Sequence, residues 1–176
     1  MPVKRALLPL LAAALLSCAA GIYLGTRHHG SEMARQAEAA PLFAQRLPDA
    51  DGKLHALSQW QGKPLIVNFW ATWCGPCVQE MPELSALRPE LAAKGIAIIG
   101  IGVDSAENIR NFADKYKITY PLYVAGMAGV DLSRRFGNDN GGLPYTVLFD
   151  RHGAVVKTYL GRLDIDALRR DLGRLS

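Results

Sequence analysis

The stretch from Asn68 to Pro82, NFWATWCGPCVQEMP, limits what this chain can become more than any other. It closes a run of strand-forming residues, Pro64-Leu65-Ile66-Val67-Asn68-Phe69-Trp70, breaks at Trp73-Cys74-Gly75-Pro76-Cys77 and goes on with helical spacing. An apolar strand that turns straight into a helix sets two thiols at a helix start. Four backbone N–H groups lack internal partners there, and the helix macrodipole is positive. Thiolate is favoured over thiol in that field, so Cys74 is the expected nucleophile. Cys77, one turn further in, is the expected thiol that attacks a mixed disulfide on Cys74. Pro76 lies in the first turn, where a missing N–H costs little, and it stiffens the loop.

Two plainer uses of the pair fit less well. A closed zinc site needs four ligands, and the third cysteine, Cys18, sits in an N-terminal apolar segment, far in spacing from His28, His29, His55 and His152. A disulfide across so short a loop constrains the unfolded chain little, so stapling is a poor reason for it.

The 176 residues, 49% of them apolar, allow one packed domain plus an appendage. The formal charge of +4 invites a nucleic-acid reading. Lys4, Arg5 and Arg27 account for three of the 20 basic residues, however, and the others balance the 16 acidic ones to within one charge, which gives no sign of a phosphate-binding surface. Residues 1–30 read as a targeting segment: Lys4 and Arg5, then Ala6 to Leu24 without a charge, then Arg27-His28-His29-Gly30. A helix of that length, about 28 Å, roughly spans a bilayer core. The basic amino side keeps that end in the cytoplasm and delivers the rest outside, into an oxidising compartment. An uncleaved membrane anchor is the preferred reading. A cleaved signal peptide that leaves a soluble periplasmic domain, or lipidation at Cys18 after Leu15-Leu16-Ser17, are the alternatives.

Residues 31–40 form an Ala-, Glu- and Gln-rich linker, and the domain occupies 41–176. Pro41 to Leu47 alternates weakly as an edge strand, Asp51-Gly52 signals a turn, and Leu54 to Leu57 begins a return strand, which together read as an N-terminal β-hairpin. Past the cysteines, Cys77, Glu80, Leu84, Leu87 and Leu91 recur at helical spacing up to Gly95. Ile96 to Val103 reads as a strand covered on both faces, with no third glycine for a dinucleotide fingerprint. Asp104 or Ser105 caps a helix with Ile109, Phe112 and Tyr116 on its apolar side. A short strand at Tyr120 to Val124, a short helix from Ala128 to Phe136, a hairpin from Tyr145 to Tyr159 and a closing helix from Leu163 to Leu172 follow. That order predicts an α/β fold whose central mixed sheet has helices on both faces.

Trp73-Cys74-Gly75-Pro76-Cys77 after an apolar strand, Pro82 five residues on, and Gly142-Leu143-Pro144-Tyr145-Thr146 before Val147-Leu148-Phe149 together resemble the thioredoxin superfamily. Within it the chain resembles the membrane-anchored TlpA/ResA-like thiol-disulfide oxidoreductases of bacteria over residues 41 to 174. The resemblance implies a thioredoxin-like fold with an N-terminal hairpin and a central insertion between the active-site helix and Pro144. It also implies a cis Pro144 facing the cysteines, with Leu143 offering its main chain to an extended client. Trp73, Gly75 and Pro76 join Leu143 as the substrate-binding set, and Cys74, Cys77, Glu80 and Pro144 form the catalytic one.

Glu80 follows Cys77 by three residues, so both lie on one helix face, where a carboxylate can accept the Cys77 proton. Asn68 occupies the strand position where plain thioredoxins place a buried acid, and it cannot titrate, which leaves Glu80 the better proton carrier. The chemistry expected is reduction of disulfides in exported proteins, such as apocytochrome c or copper-site assembly proteins. Electrons would come from a membrane thiol donor of the DsbD/CcdA kind, and no cofactor or metal is needed beyond the cysteine pair. Two rivals are thiol peroxidase chemistry, against which Ala71 stands where a peroxidatic site carries threonine, and Cu(I) delivery by two thiolates.

Overall fold

The computed structural model describes residues 37–173. The expected membrane segment in 1–30, Cys18, and residues 31–36 of the linker lie outside the described residues. No helix among the described residues is long and apolar enough to cross a membrane.

Helical residues 37–43 (α1) lead into β1 (Arg46–Pro48), β2 (Leu54–Ala56), a 3₁₀ turn (Leu57–Trp60) and β3 (Leu65–Trp70). Then come α2 (Gly75–Ala93), β4 (Ala97–Gly102), α3 (Ala106–Tyr116), β5 (Leu122–Val124) and α4 (Ala128–Arg134). The chain closes with β6 (Tyr145–Phe149), β7 (Val155–Leu160) and α5 (Ile165–Leu172). β1 and β2 pair antiparallel, as the turn at Asp51-Gly52 predicts, with Gly52 at φ 86. The edge strand read from Pro41 is shorter than expected, because residues 41–43 are helical and the strand begins at Arg46. Ala39 and Leu42, three residues apart, are both fully buried, and that helical repeat outweighs the weak alternation of 41–47.

The five-stranded sheet has the order β5-β4-β3-β6-β7. β4 runs parallel to β3 and to β5, while β6 runs antiparallel to both β3 and β7. The carboxyl ends of β3, β4, β5 and β7 and the amino end of β6 therefore share one end of the sheet. Cys74 follows β3 and Pro144 precedes β6, so the topology brings both to that end. Every residue of the central strand β3 is buried. Its alternation feeds two cores: Ile66 and Trp70 join Met81, Leu84, Leu91, Ile109 and Leu168 on the face covered by α2, α3 and α5. Leu65, Val67 and Phe69 join Leu42, Leu57, Leu132 and Phe136 on the other. Each of these apolar side chains contributes roughly 1.5–3 kcal/mol by leaving water, which makes the platform under the cysteines rigid.

α2 runs through both Pro82 and Pro89 to Ala93. Each proline removes one helix hydrogen bond, and the buried row Met81, Leu84, Leu87 and Leu91 holds the helix on the sheet regardless. Gly102 serves close approach instead of nucleotide binding: a Cβ there would collide with Ile109 of α3.

Candidate active site

Cys74 is the N-cap of α2, with extended backbone at φ −85 and ψ 103, and its sulfur accepts the Cys77 N–H at 3.3 Å. That bond and the helix start both favour negative charge on Cys74 once the pair is reduced. The two sulfurs are bonded at 2.08 Å with Cα atoms 5.3 Å apart. Cys74 keeps 6% of its surface exposed and Cys77 none, so an incoming thiol or disulfide meets Cys74 first. Gly75 and Pro76 are exposed beside it, and Trp73 is 69% exposed, which sets its ring outward from the core. The peptide bond between Leu143 and Pro144 is cis.

Glu80 is fully buried on the third residue past Cys77. Its Oε1 accepts from Asn68 Nδ2 at 2.7 Å and its Oε2 accepts the Leu163 N–H at 2.7 Å, so the carboxyl is fixed between β3 and the lead-in to α5. Burial raises its pKa from 4.5 to about 7, against the opposing pull of those two hydrogen bonds. Asn68 also donates to Thr146 Oγ1 at 3.0 Å, its neighbour across the β3–β6 ladder. Asn68 Oδ1 has no hydrogen-bond partner among the described residues. An amide can show its NH₂ to the carboxylate or its oxygen to the protonated acid, so Asn68 suits both states of Glu80 without itself titrating.

A second carboxylate holds the loop from outside. Asp104 Oδ2 accepts from both the N–H and the hydroxyl of Thr72, while Oδ1 accepts from Ser105 N at 2.7 Å and Asn108 Nδ2 at 2.7 Å. Ser105 is the residue that caps α3, through Asn108 N–H, which frees Asp104 for the active-site loop. Its burial pushes the pKa up, and these hydrogen bonds together outweigh that and hold it below the ordinary 3.8. Sequence reading treated Asp104 only as a candidate cap, because nothing local pairs it with a threonine 32 residues earlier.

Sequence reading also missed Asn138, which is 2% exposed at the far side of the Pro144 loop. Its side chain hydrogen-bonds both backbone groups of Gly142: Oδ1 accepts the Gly142 N–H at 3.0 Å and Nδ2 donates to the Gly142 carbonyl at 2.9 Å. In the run Asn138-Asp139-Asn140-Gly141-Gly142 the sequence reads only as a polar turn, and no local signal separates Asn138 from Asn140.

A nucleophilic cysteine at a helix cap, a shielded partner and a cis-proline loop at one end of a mixed sheet agree with what family comparison shows. The Redoxin model matches residues 35–172. The chain belongs to the Redoxin family. The thiol-disulfide oxidoreductase ResA of Geobacillus thermodenitrificans is 33% identical to this redoxin over 134 residues, which cover 76% of this chain and 74% of the relative. The ResA of Bacillus cereus is 30% identical over 178 aligned positions, covering all of this chain and 99% of the relative. Among solved structures, a thiol:disulfide interchange protein of the thioredoxin family from Chlorobium tepidum TLS matches at TM-score 0.66 and 28% identity, over 74% of this chain and 92% of that one. MTB dsbF, at 22% identity and TM-score 0.66, covers 77% of this chain and 98% of its own, and it shares the fold. This redoxin is thus a ResA-like member of the thioredoxin superfamily and a protein thiol-disulfide oxidoreductase working through Cys74 and Cys77.

Proposed function

We propose that this redoxin is an extracytoplasmic reductase of disulfides in exported proteins, tethered to the bacterial inner membrane by its N-terminal segment. The observation that carries the reading is the pairing of an N-cap cysteine with a buried carboxyl, at a pKa of about 7, one helical turn beyond its partner cysteine. The apolar segment from Ala6 to Leu24, with basic residues ahead of it, supports the location. Resemblance to the TlpA/ResA-like proteins supports the direction of electron flow, the clients in cytochrome c maturation or copper-site assembly, and a donor of the DsbD/CcdA kind.

In the reduced protein, the Cys74 thiolate attacks one sulfur of the client disulfide. An S–S bond forms between Cys74 and the client, and the client's other sulfur leaves as thiolate and takes a proton from water. Cys77 then loses its proton to Glu80 and attacks Cys74 Sγ. The mixed disulfide breaks, the second client sulfur leaves and is protonated, and the Cys74–Cys77 bond closes. Two electrons have passed from the pair to the client. A membrane dithiol returns them by the reverse exchange at Cys74, the exposed sulfur, and Glu80 hands its proton back to Cys77. Leu143 and Pro144, with Trp73, Gly75 and Pro76, hold the client segment across the pair.

Insulin-disulfide reduction by the full chain, compared with Cys74→Ser, tests this reading. The variant is expected to lose turnover completely; unchanged turnover would overturn it.

A further inference from the structure

The loop before Pro144 is held in an uneven way. Both backbone groups of Gly142 are taken by the Asn138 side chain, and the carbonyl of Pro144 accepts the Gly161 N–H at 2.9 Å. Between them, the N–H and C=O of Leu143 have no hydrogen-bond partner among the described residues. Leu143 is half-buried, so these groups stay within reach of solvent or a client. A backbone group left unpaired in a folded chain is either solvated or reserved for a ligand.

Asn138 is itself over-determined. Its second Nδ2 hydrogen goes to Ser133 Oγ at 2.9 Å, and that hydroxyl donates to the Val130 carbonyl at 2.8 Å, tying the amide to α4. Its own carbonyl accepts the Gly141 N–H at 2.9 Å, and Gly141 sits at φ 63, a backbone that only glycine adopts freely. The Gly142 N–H requires oxygen on one side of the amide and the Gly142 carbonyl requires nitrogen on the other, so the network fixes the amide's orientation. The side chain thus acts as a one-residue strand laid along Gly142, anchored in a helix of the central insertion.

We infer that Asn138 is a positioning residue for client binding: it pins Gly142 so that the free N–H and C=O of Leu143 meet the backbone of an extended client segment beside its disulfide. The inference rests on the client-clamp reading above and gives the central insertion a task, which is to brace that clamp. Client affinity for anything with a peptide backbone depends on Asn138; attack of Cys74 on a disulfide without one does not. Asn138 contacts neither sulfur nor Glu80 in the network described, so the redox chemistry of the pair is independent of it.

The test compares the full chain with Asn138→Ala, Asn138→Asp and Ser133→Ala on two oxidants, a disulfide-bonded peptide and 2-hydroxyethyl disulfide. For Asn138→Ala, KM for the peptide rises about tenfold, as expected for two lost hydrogen bonds. Its kcat, its turnover of 2-hydroxyethyl disulfide and its reduction potential stay those of the wild type. Asn138→Asp keeps an acceptor for the Gly142 N–H but loses the donors while ionised. Its KM deficit therefore shrinks, relative to the wild type at the same pH, as pH falls toward the carboxyl pKa. Should Asn138→Ala not fold, Ser133→Ala reads the same contrast at about two- to threefold, since it removes only the hydroxyl behind the amide. An unchanged peptide KM, or equal losses on both disulfides, overturns the inference. Wild-type turnover of neither disulfide would instead refute the reductase reading, and the peptide-against-small-molecule contrast is then taken in the reverse direction, on oxidation of the dithiols.

Discussion

Two carboxylates bracket the Cys74–Cys77 loop, and the same side-chain chemistry is driven to opposite ends of its range. Glu80 lies fully buried behind the pair, accepts hydrogen bonds from one amide and one backbone N–H, and is raised to about 7 because burial dominates. Asp104 lies half-buried in front, accepts from Thr72, Ser105 and Asn108, and is held below 3.8 because those bonds dominate. The balance between the depth of burial and the hydrogen bonds received decides which way a carboxylate goes: Glu80 is the more deeply buried and Asp104 the more fully hydrogen-bonded. Asp104 stays charged throughout the physiological range and serves as a fixed anchor for the loop, whereas Glu80 changes charge near neutrality and can carry a proton.

The largest effect expected from breaking this division of labour is on rate. Glu80→Gln keeps the shape and removes the proton acceptor, so the step in which Cys77 attacks the mixed disulfide is expected to slow by about 10² at pH 7. In the wild type that step accelerates as pH rises through about 7, where Glu80 ionises. In the variant that rise near 7 is expected to be absent. Rapid-mixing measurements of product release from a trapped mixed disulfide check both. A variant with the wild-type pH profile would remove Glu80 from the proton route.

Stability comes next. A carboxyl whose folded pKa is raised from 4.5 to about 7 binds its proton more tightly in the folded state. The stabilisation is complete below about 4.5 and is lost as pH rises to about 7, a fall of about 3 kcal/mol. Urea unfolding of the oxidised protein across that window is expected to show the decline in the wild type and a nearly flat profile in Glu80→Gln. The same decline in both proteins would assign it to another group.

The smallest effect concerns the anchor. Asp104→Asn retains one acceptor oxygen and is expected to cost about 1–2 kcal/mol of stability at pH 7, with turnover within about fivefold of the wild type. Because the Asp104 pKa is lowered, its contribution is present above the unfolded value and is lost as pH falls below about 4. The wild type and Asp104→Asn should therefore converge in acid. A gap that does not narrow at all as pH falls below 3.8 would mean the side chain acts through packing and not through charge.

The contrast also marks what the sequence made legible. Glu80 follows from helical spacing, because residues three apart on one helix share a face. The strand, the cysteine loop and the helix after it are local patterns, as are the hairpin and the buried strand at β4. The central mixed sheet follows from their order. What stayed hidden is non-local. Asp104 reaches Thr72 across 32 positions, Leu163 caps Glu80 from 83 residues away, and Asn138 braces a loop that reads as an undifferentiated polar turn. Local alternation also misled at residues 41–43, where burial of Leu42 beneath the sheet keeps the chain helical. Hydrogen bonds between side chains and distant backbone leave no periodic trace, so they emerge only once the fold has placed their ends together.

The reductase reading is tested most directly by the reduction potential of the Cys74–Cys77 pair in the full chain. It is measured by equilibration against glutathione or dithiothreitol followed by thiol trapping. A value near that of thioredoxin, about −270 mV, is expected, low enough to donate electrons to client disulfides. A value near about −120 mV would mean that the dithiol is strongly favoured and that the protein oxidises its clients, contradicting the direction proposed here.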